Sequence, residues 1–131
     1  MIAQFRSKLV LIDRPSPPQW ELFSALIYDS AVLGFTVVVP EGFQTDLASI
    51  PRALWSLLPP VGAYDAAAVV HDLLYQRRTA GVDRGLADAV LNEAMGVLGV
   101  GTWTRRAIYW GVRLGGLVPW NRYRAAEQVT V

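Results

Sequence analysis

The spacing of apolar residues changes near Asp65, and this change constrains the fold more than any other feature of the chain. Before it, short β-branched and aromatic runs are separated by prolines and glycines, which is typical of strands and turns. After it, apolar residues recur at helical spacing. A block of strands followed by a block of helices predicts an α+β fold, with a small antiparallel sheet and then a three-helix cluster.

Prolines, glycines and capping residues set the predicted element boundaries. Gly81 interrupts the helical pattern, and the short connection Thr79–Val82 folds the next helix back as an antiparallel hairpin. Thr102 is expected to cap the third helix. A length of 131 residues suits one domain covering 1–131. The predicted elements are strands within 8–40 (the runs 8–12, 20–28 and 33–39), helices at about 50–58, 65–78, 83–98 and 103–114, and a loose tail from 119.

Composition excludes several classes of function. The chain has no cysteine, so disulfides and cysteine-zinc sites are excluded. The net charge is only +1, so bulk binding to nucleic acid is not expected. The N-terminal apolar run is too short for a signal peptide, and no uncharged stretch approaches the ~18 residues of a membrane span. Arginines nevertheless crowd the C-terminal quarter, either as a phosphate-binding patch or as a solvated helix face: Arg105, Arg106, Arg113, Arg122 and Arg124.

The candidate site centres on His71, the single histidine, in an apolar helical stretch. Tyr75 lies four residues later, on the same helix face. Asp72 points about 100° away around the helix, so it is available to bind a cation. The hairpin can bring Asp88 opposite His71, where a carboxylate would orient the imidazole. These groups suit either general-base activation of water or a buried polar network that locks the hairpin.

A second feature is the polar turn that contains Asp46 and Arg52. Asp46 is expected to tie backbone groups of the turn, with a role as ligand or catalytic carboxylate as the alternative. Arg52 is placed to pair with Asp46 or Asp72.

Four spaced elements resemble a phage and prophage family known as domain of unknown function 1353. The resemblance covers roughly residues 8–118 and implies a phage or prophage origin, but no established activity. The matching elements are Val39–Arg52, Trp55 with Pro59-Pro60, Ala68–Tyr75, and Ala87-Asp88 with Met95.

The sequence His71-Asp72-x-x-Tyr75, followed by Asp88 on a second helix, is also similar to the active-site helix pair of secreted phospholipase A-two. This resemblance implies that His71 is the base, that Asp72 binds calcium, and that Tyr75 and Asp88 hold the histidine. The cysteine- and glycine-rich calcium loop of that family is absent here.

Two functional hypotheses therefore remain open. One is a metal-assisted hydrolase acting on a lipid, ester or amide, with calcium as its possible cofactor. The other is a non-catalytic component of a phage tail or baseplate. The expected partners are phage structural proteins or a membrane surface, and the expected location is the host cytoplasm or the virion. Aromatic residues near the arginines fit either hypothesis: Trp103, Tyr109, Trp110 and Trp120.

Overall fold

The computed structural model describes residues 1–16, 20–45 and 64–129, and within these ranges the strands come before the helices. The predicted α+β class is thus confirmed. The described strands form two three-stranded antiparallel sheets, ordered β1-β4-β5 and β2-β3-β6, where the prediction had one sheet. Their bounds are β1 Gln4–Phe5, β2 Leu11–Asp13, β3 Trp20–Leu22, β4 Leu26–Ser30, β5 Phe35–Val39 and β6 Gln44–Thr45.

The extra sheet arises because the predicted strand 20–28 changes hydrogen-bonding partners along its length. Its first part, β3, pairs with β2 and β6, whereas its last part, β4, pairs with β1 and β5. Leu22 and Leu26 are nevertheless both buried, while Phe23 is exposed. An alternating pattern separates the two faces of a strand, but it contains no information about where a strand passes from one sheet to another.

The helices begin and end close to the predicted residues, with two corrections in the C-terminal part. Asp83 caps α2 as its position suggests, since its side chain accepts a hydrogen bond from the Leu86 amide. Gly101, rather than Thr102, occupies the N-cap of α3. The tail from 119, expected to be loose, is part of a fourth helix. The bounds are α1 Asp65–Gln76, α2 Arg84–Val97, α3 Thr102–Gly115 and α4 Leu117–Val129.

The predicted helix at 50–58 lies outside the described residues. Across the described ranges, no helix combines the length and the apolar character that a bilayer crossing requires.

Helix α1 is surrounded by other elements on every side. Its residues Ala67–Tyr75 are all buried, and it packs against α2, α4 and β5. An α-helix that is buried around its whole circumference belongs to the interior of a fold. The polar residues His71 and Asp72 in the middle of this run are therefore inside the core, where polar groups need partners.

Helix α2 is tied to the sheet β1-β4-β5 by the carboxylate of Glu93. This carboxylate accepts hydrogen bonds from the Tyr28 hydroxyl at 2.7 Å, the Ser30 hydroxyl at 2.9 Å and the Val32 amide at 2.9 Å. Burial raises the pKa of Tyr28, and the neighbouring Glu93 raises it further. These bonds fix the orientation of α2, and with it the direction in which Asp88 points.

Candidate functional site

The carboxylate of Asp88 is the centre of a buried polar cluster that joins three helices. Its Oδ1 atom lies 2.8 Å from Nε2 of His71 and accepts a hydrogen bond of 2.7 Å from the hydroxyl of Tyr75. Asp88 and His71 are wholly buried, and Tyr75 is almost so. The structure therefore brings together the three residues that the sequence proposed as a catalytic group, across the α1–α2 hairpin.

Two arginines complete this group, which we call the Asp88 cluster. Arg113 of α3 donates a 3.0 Å hydrogen bond to Oδ2 of Asp88, and Arg84 lies 3.5 Å from the same atom. Arg84 also donates to the backbone oxygens of Val112 and Arg113 at 3.2 and 3.0 Å. Both oxygens of the carboxylate thus face donors, and two of those donors carry a permanent positive charge.

These donors determine the charge of Asp88. Burial by itself raises the pKa of a carboxyl group. This effect is outweighed by the hydrogen bonds from His71 and Tyr75, by the positive charge of His71 when it is protonated, and by the bond from Arg113. The net result is a pKa of Asp88 below its ordinary value. Asp88 is therefore ionised at neutral pH.

The charge of Asp88 decides the tautomer of His71. An ionised carboxylate accepts hydrogen bonds and donates none, so Nε2 of His71 must carry the shared proton. In the neutral imidazole, the lone pair is then on Nδ1. That atom is buried and has no hydrogen-bond partner among the described residues. A buried ring nitrogen without a partner is uncommon, because it has given up its hydrogen bonds to water without replacement.

Tyr75 depends on close packing at the junction of α3 and α4. A Cβ atom on Gly116 would lie 2.3 Å from the Tyr75 hydroxyl and 2.5 Å from the carbonyl oxygen of Val112, so only glycine fits there. The ring of Trp120 meets Tyr75 edge to face, with centroids 5.2 Å apart. Burial raises the pKa of Tyr75, and its bond to Asp88 raises it further. Tyr75 is therefore a neutral hydrogen-bond donor.

Helix α4 holds the C-terminal end of α1. Arg124 donates hydrogen bonds of 3.2 and 3.0 Å to the backbone oxygens of Leu74 and Tyr75, and its guanidinium stacks 3.9 Å above the ring of Trp120. A cation at these carbonyls replaces hydrogen bonds that the helix end lacks and complements the helix dipole. The segment expected to be loose thus anchors the helix that carries His71.

Asp72 is the one further predicted site residue that the structure describes. The buried carboxylate of Asp72 accepts a 2.8 Å hydrogen bond from Gln76. Across the described ranges, no group of three or more acidic, histidine or cysteine side chains is arranged to hold a metal. A calcium ion takes about six to eight oxygen ligands, and calcium binding by Asp72 stays a prediction. Asp46 and Arg52 lie outside the described residues.

Sequence reasoning missed three contributors to the cluster. Arg84 precedes Asp88 by four residues on one helix, a spacing that predicts a side-chain contact, so this signal was available. Arg113 is 25 residues from Asp88, and nothing local distinguishes it from the other arginines of its helix. Gly116 has an ordinary helical backbone conformation, and its role follows only from the proximity of Tyr75.

Comparison with known proteins identifies relatives without assigning an activity. The uncharacterized protein y4jT of Sinorhizobium fredii (strain NBRC 101917 / NGR234) is 35% identical over 109 residues, which are 80% of this chain and 31% of that protein. The chain thus spans about a third of that relative's length. No solved structure matches. The family model "Protein of unknown function (DUF1353)" matches residues 20–112, which include the whole α1–α2 hairpin. The chain belongs to the DUF1353 family.

Proposed function

We propose that this protein is a hydrolase in which Nδ1 of His71 activates a water molecule for attack on an ester or amide carbonyl. One observation carries the proposal: Nδ1 has no partner among the described residues, while Nε2 is held by an ionised carboxylate. A general base needs this arrangement, with one nitrogen oriented and the other able to accept a proton. In the neighbouring buried networks of Asp29 and Glu93, no such atom is left over.

The geometry supports a defined sequence of proton transfers. Nδ1 accepts a proton from water while the water oxygen bonds to the carbonyl carbon. The imidazolium that forms is stabilised by the negative charge of Asp88, which stays ionised. Collapse of the tetrahedral intermediate breaks the bond to the leaving oxygen or nitrogen, and Nδ1 returns its proton there. Tyr75 and Arg113 hold the Asp88 carboxylate throughout and do not react.

The substrate class follows from the resemblance to phospholipase A-two, which favours a lipid ester. No step is assigned to calcium. Calcium dependence is instead a variable in the assay below.

The complete burial of His71 favours a second candidate function. A residue with no exposed surface is shielded from substrate unless the surrounding structure opens, and buried networks can lock two helices together without catalysing anything. Under this alternative the protein is a non-catalytic component of a phage tail or baseplate. Its phage origin rests on the family resemblance.

Replacement of His71 by glutamine separates the two candidates. The Nε2 atom of glutamine is the same number of bonds from Cβ as Nε2 of histidine, so it can still donate to Asp88, but the amide has no basic nitrogen. For a hydrolase, we expect H71Q to melt close to the wild type and to lose hydrolysis by at least about a hundredfold, the usual contribution of a general base.

The assay uses a soluble short-chain ester, a short-chain amide and phospholipid vesicles, each with calcium and with a chelator. Glu41→Gln, at an exposed position in the turn after β5, is the control and should retain activity. A wild type that is inert on every substrate, or an H71Q variant that hydrolyses as fast as the wild type, would refute the hydrolase proposal. An inert wild type would leave the non-catalytic tail or baseplate component as the remaining candidate.

A further inference from the structure

Helix α3 presents an exposed apolar stripe to solvent, on the side away from the core. Trp103, Trp110 and Leu114 lie within about 40° of one another around the helix, and the stripe is about 16 Å long. Their exposed fractions are 80%, 62% and 83%. The opposite face of the helix, with Ile108 and Val112, is buried. Exposed apolar residues continue just beyond the helix at Leu117 and Val118.

Positive charge lies beside the Trp–Leu stripe at Arg106. Between Ala94 and Ala126 the sequence has five arginines and no acidic residue. Arg106 lies beside the stripe, with its guanidinium 5.4 Å from the centroid of the Trp103 ring. Arg122 is also exposed, on α4. An occupant of this face must therefore combine an apolar region with negative charge.

We propose that the Trp–Leu stripe binds the surface of an anionic lipid bilayer, with α3 lying in the plane of the interface. Tryptophan suits this position, because its ring is apolar while its N–H reaches the headgroup layer. Arginines beside the stripe meet the phosphates of anionic lipids. Amphipathic helices that lie on membranes have this combination of one tryptophan- and leucine-rich face with flanking cations. This binding site lies beyond the proposed hydrolase activity and does not depend on it.

The same helix connects this surface to the Asp88 cluster. Arg113 is one residue before Leu114 of the stripe, and its guanidinium reaches inward to Asp88. A bilayer bound at the stripe would thus lie one helix diameter, about 10 Å, from the cluster.

The test is co-sedimentation of the full chain with vesicles of phosphatidylcholine alone or mixed with phosphatidylglycerol. We expect binding that increases with phosphatidylglycerol and decreases with added salt, because exposed charges are screened. Replacing Trp103 and Trp110 with serine should weaken binding by about a hundredfold, roughly tenfold for each ring removed from the interface. R106Q and R122Q should each cost about fivefold on anionic vesicles and little on neutral ones.

Phe23→Ser is the matched control, since Phe23 is an aromatic residue with 61% exposure outside the stripe. It should bind like the wild type. The absence of vesicle binding, or binding that the double tryptophan variant retains, would overturn the proposal. Self-association of the wild type that the double variant abolishes, with no vesicle binding, would assign the stripe to a contact between copies.

Vesicle binding and hydrolysis can be lost separately. H71Q should bind vesicles like the wild type, since it leaves the stripe intact. Hydrolysis of a soluble ester that depends on His71 but not on the tryptophans, without vesicle binding, would retain the enzyme and reject the membrane surface.

Discussion

Two buried aspartates, Asp29 in the sheet and Asp88 in the helix hairpin, have similar surroundings and differ in one respect. Asp29 accepts hydrogen bonds from Thr36 at 2.6 Å, Arg6 at 2.6 Å and Gln4 at 3.1 Å. The Thr36 bond contributes most to lowering its pKa, and Arg6 and Gln4 contribute as well, against the opposing effect of burial. Asp88 likewise has several donors and a lowered pKa.

The difference lies in the partners. Arg6 is 59% exposed, so water completes its hydrogen bonding, whereas His71 is fully buried and its second ring nitrogen has no partner among the described residues. A buried carboxylate with several donors is thus not by itself evidence of a functional site. The feature that distinguishes the hairpin from the sheet is Nδ1 of His71, a buried atom without a partner among the described residues.

The largest effect should come from removing the charge of Asp88. Asp88→Asn leaves Arg113 and Arg84 without their carboxylate, and breaking such a buried pair costs about 3–5 kcal/mol. Asp29→Asn should cost clearly less, because the exposed Arg6 is solvated in the variant. Chemical denaturation of both variants measures the two losses. Equal losses would mean that the two networks are equivalent in energy.

A smaller effect is expected at the contact that positions Tyr75. Gly116→Ala should destabilise the fold by about 1–3 kcal/mol, because the new methyl group overlaps the Tyr75 hydroxyl and the Val112 oxygen. Gly85→Ala is the control, since a Cβ at Gly85 of α2 meets only ordinary van der Waals contacts, the nearest 3.4 Å away. Thermal melting compares the two variants. If G116A is as stable as G85A, then the packing around Tyr75 has room for the methyl group.

The pH dependence of stability should separate Asp88 from the other acidic groups. A carboxyl group whose pKa is lower in the folded state stabilises the fold above its unfolded pKa of about 3.9, and this contribution is lost as the pH falls toward the folded value. We therefore expect the free energy of unfolding of the wild type to decrease below about pH 5, by up to about 1.4 kcal/mol per pH unit for each such group. D88N should show a shallower acid slope than the wild type. An unchanged slope would mean that Asp88 titrates normally in the fold.

The smallest predicted effect tests the anchoring of α1 by α4. Arg124→Gln removes donors from the backbone oxygens of Leu74 and Tyr75 and should cost about 1 kcal/mol. Arg122→Gln, on the same helix but exposed, should stay within about 0.5 kcal/mol of the wild type. Amide hydrogen exchange in the last turn of α1 should accelerate in R124Q alone. Equal exchange in the two variants would show that α4 does not hold this helix end.

Local patterns were sufficient wherever the controlling interactions are local. The helical spacing after Asp65, the Gly81 break and the Asp83 cap set the bounds of α1 and α2 to within two residues, because helix hydrogen bonds and caps connect residues three or four apart. The i, i+4 pairing of His71 with Tyr75, and the approach of Asp88 through an antiparallel hairpin, were predictable for the same reason. Helix α4 was missed because its weakly amphipathic sequence has little periodic signal, and packing against α1 stabilises it.

The sequence by itself determined the α+β class, the helix hairpin and the presence of an imidazole, a phenol and a carboxylate within reach of one another. Tertiary structure alone decided that Arg113 joins Asp88 from 25 residues away, that Gly116 must lack a side chain, and that Asp72 bonds Gln76 outside the cluster. It also decided which nitrogen of His71 lies against Asp88. The physical reason is that a hydrogen bond depends on atoms within about 3 Å and on the exclusion of water, and both are set by how distant segments pack.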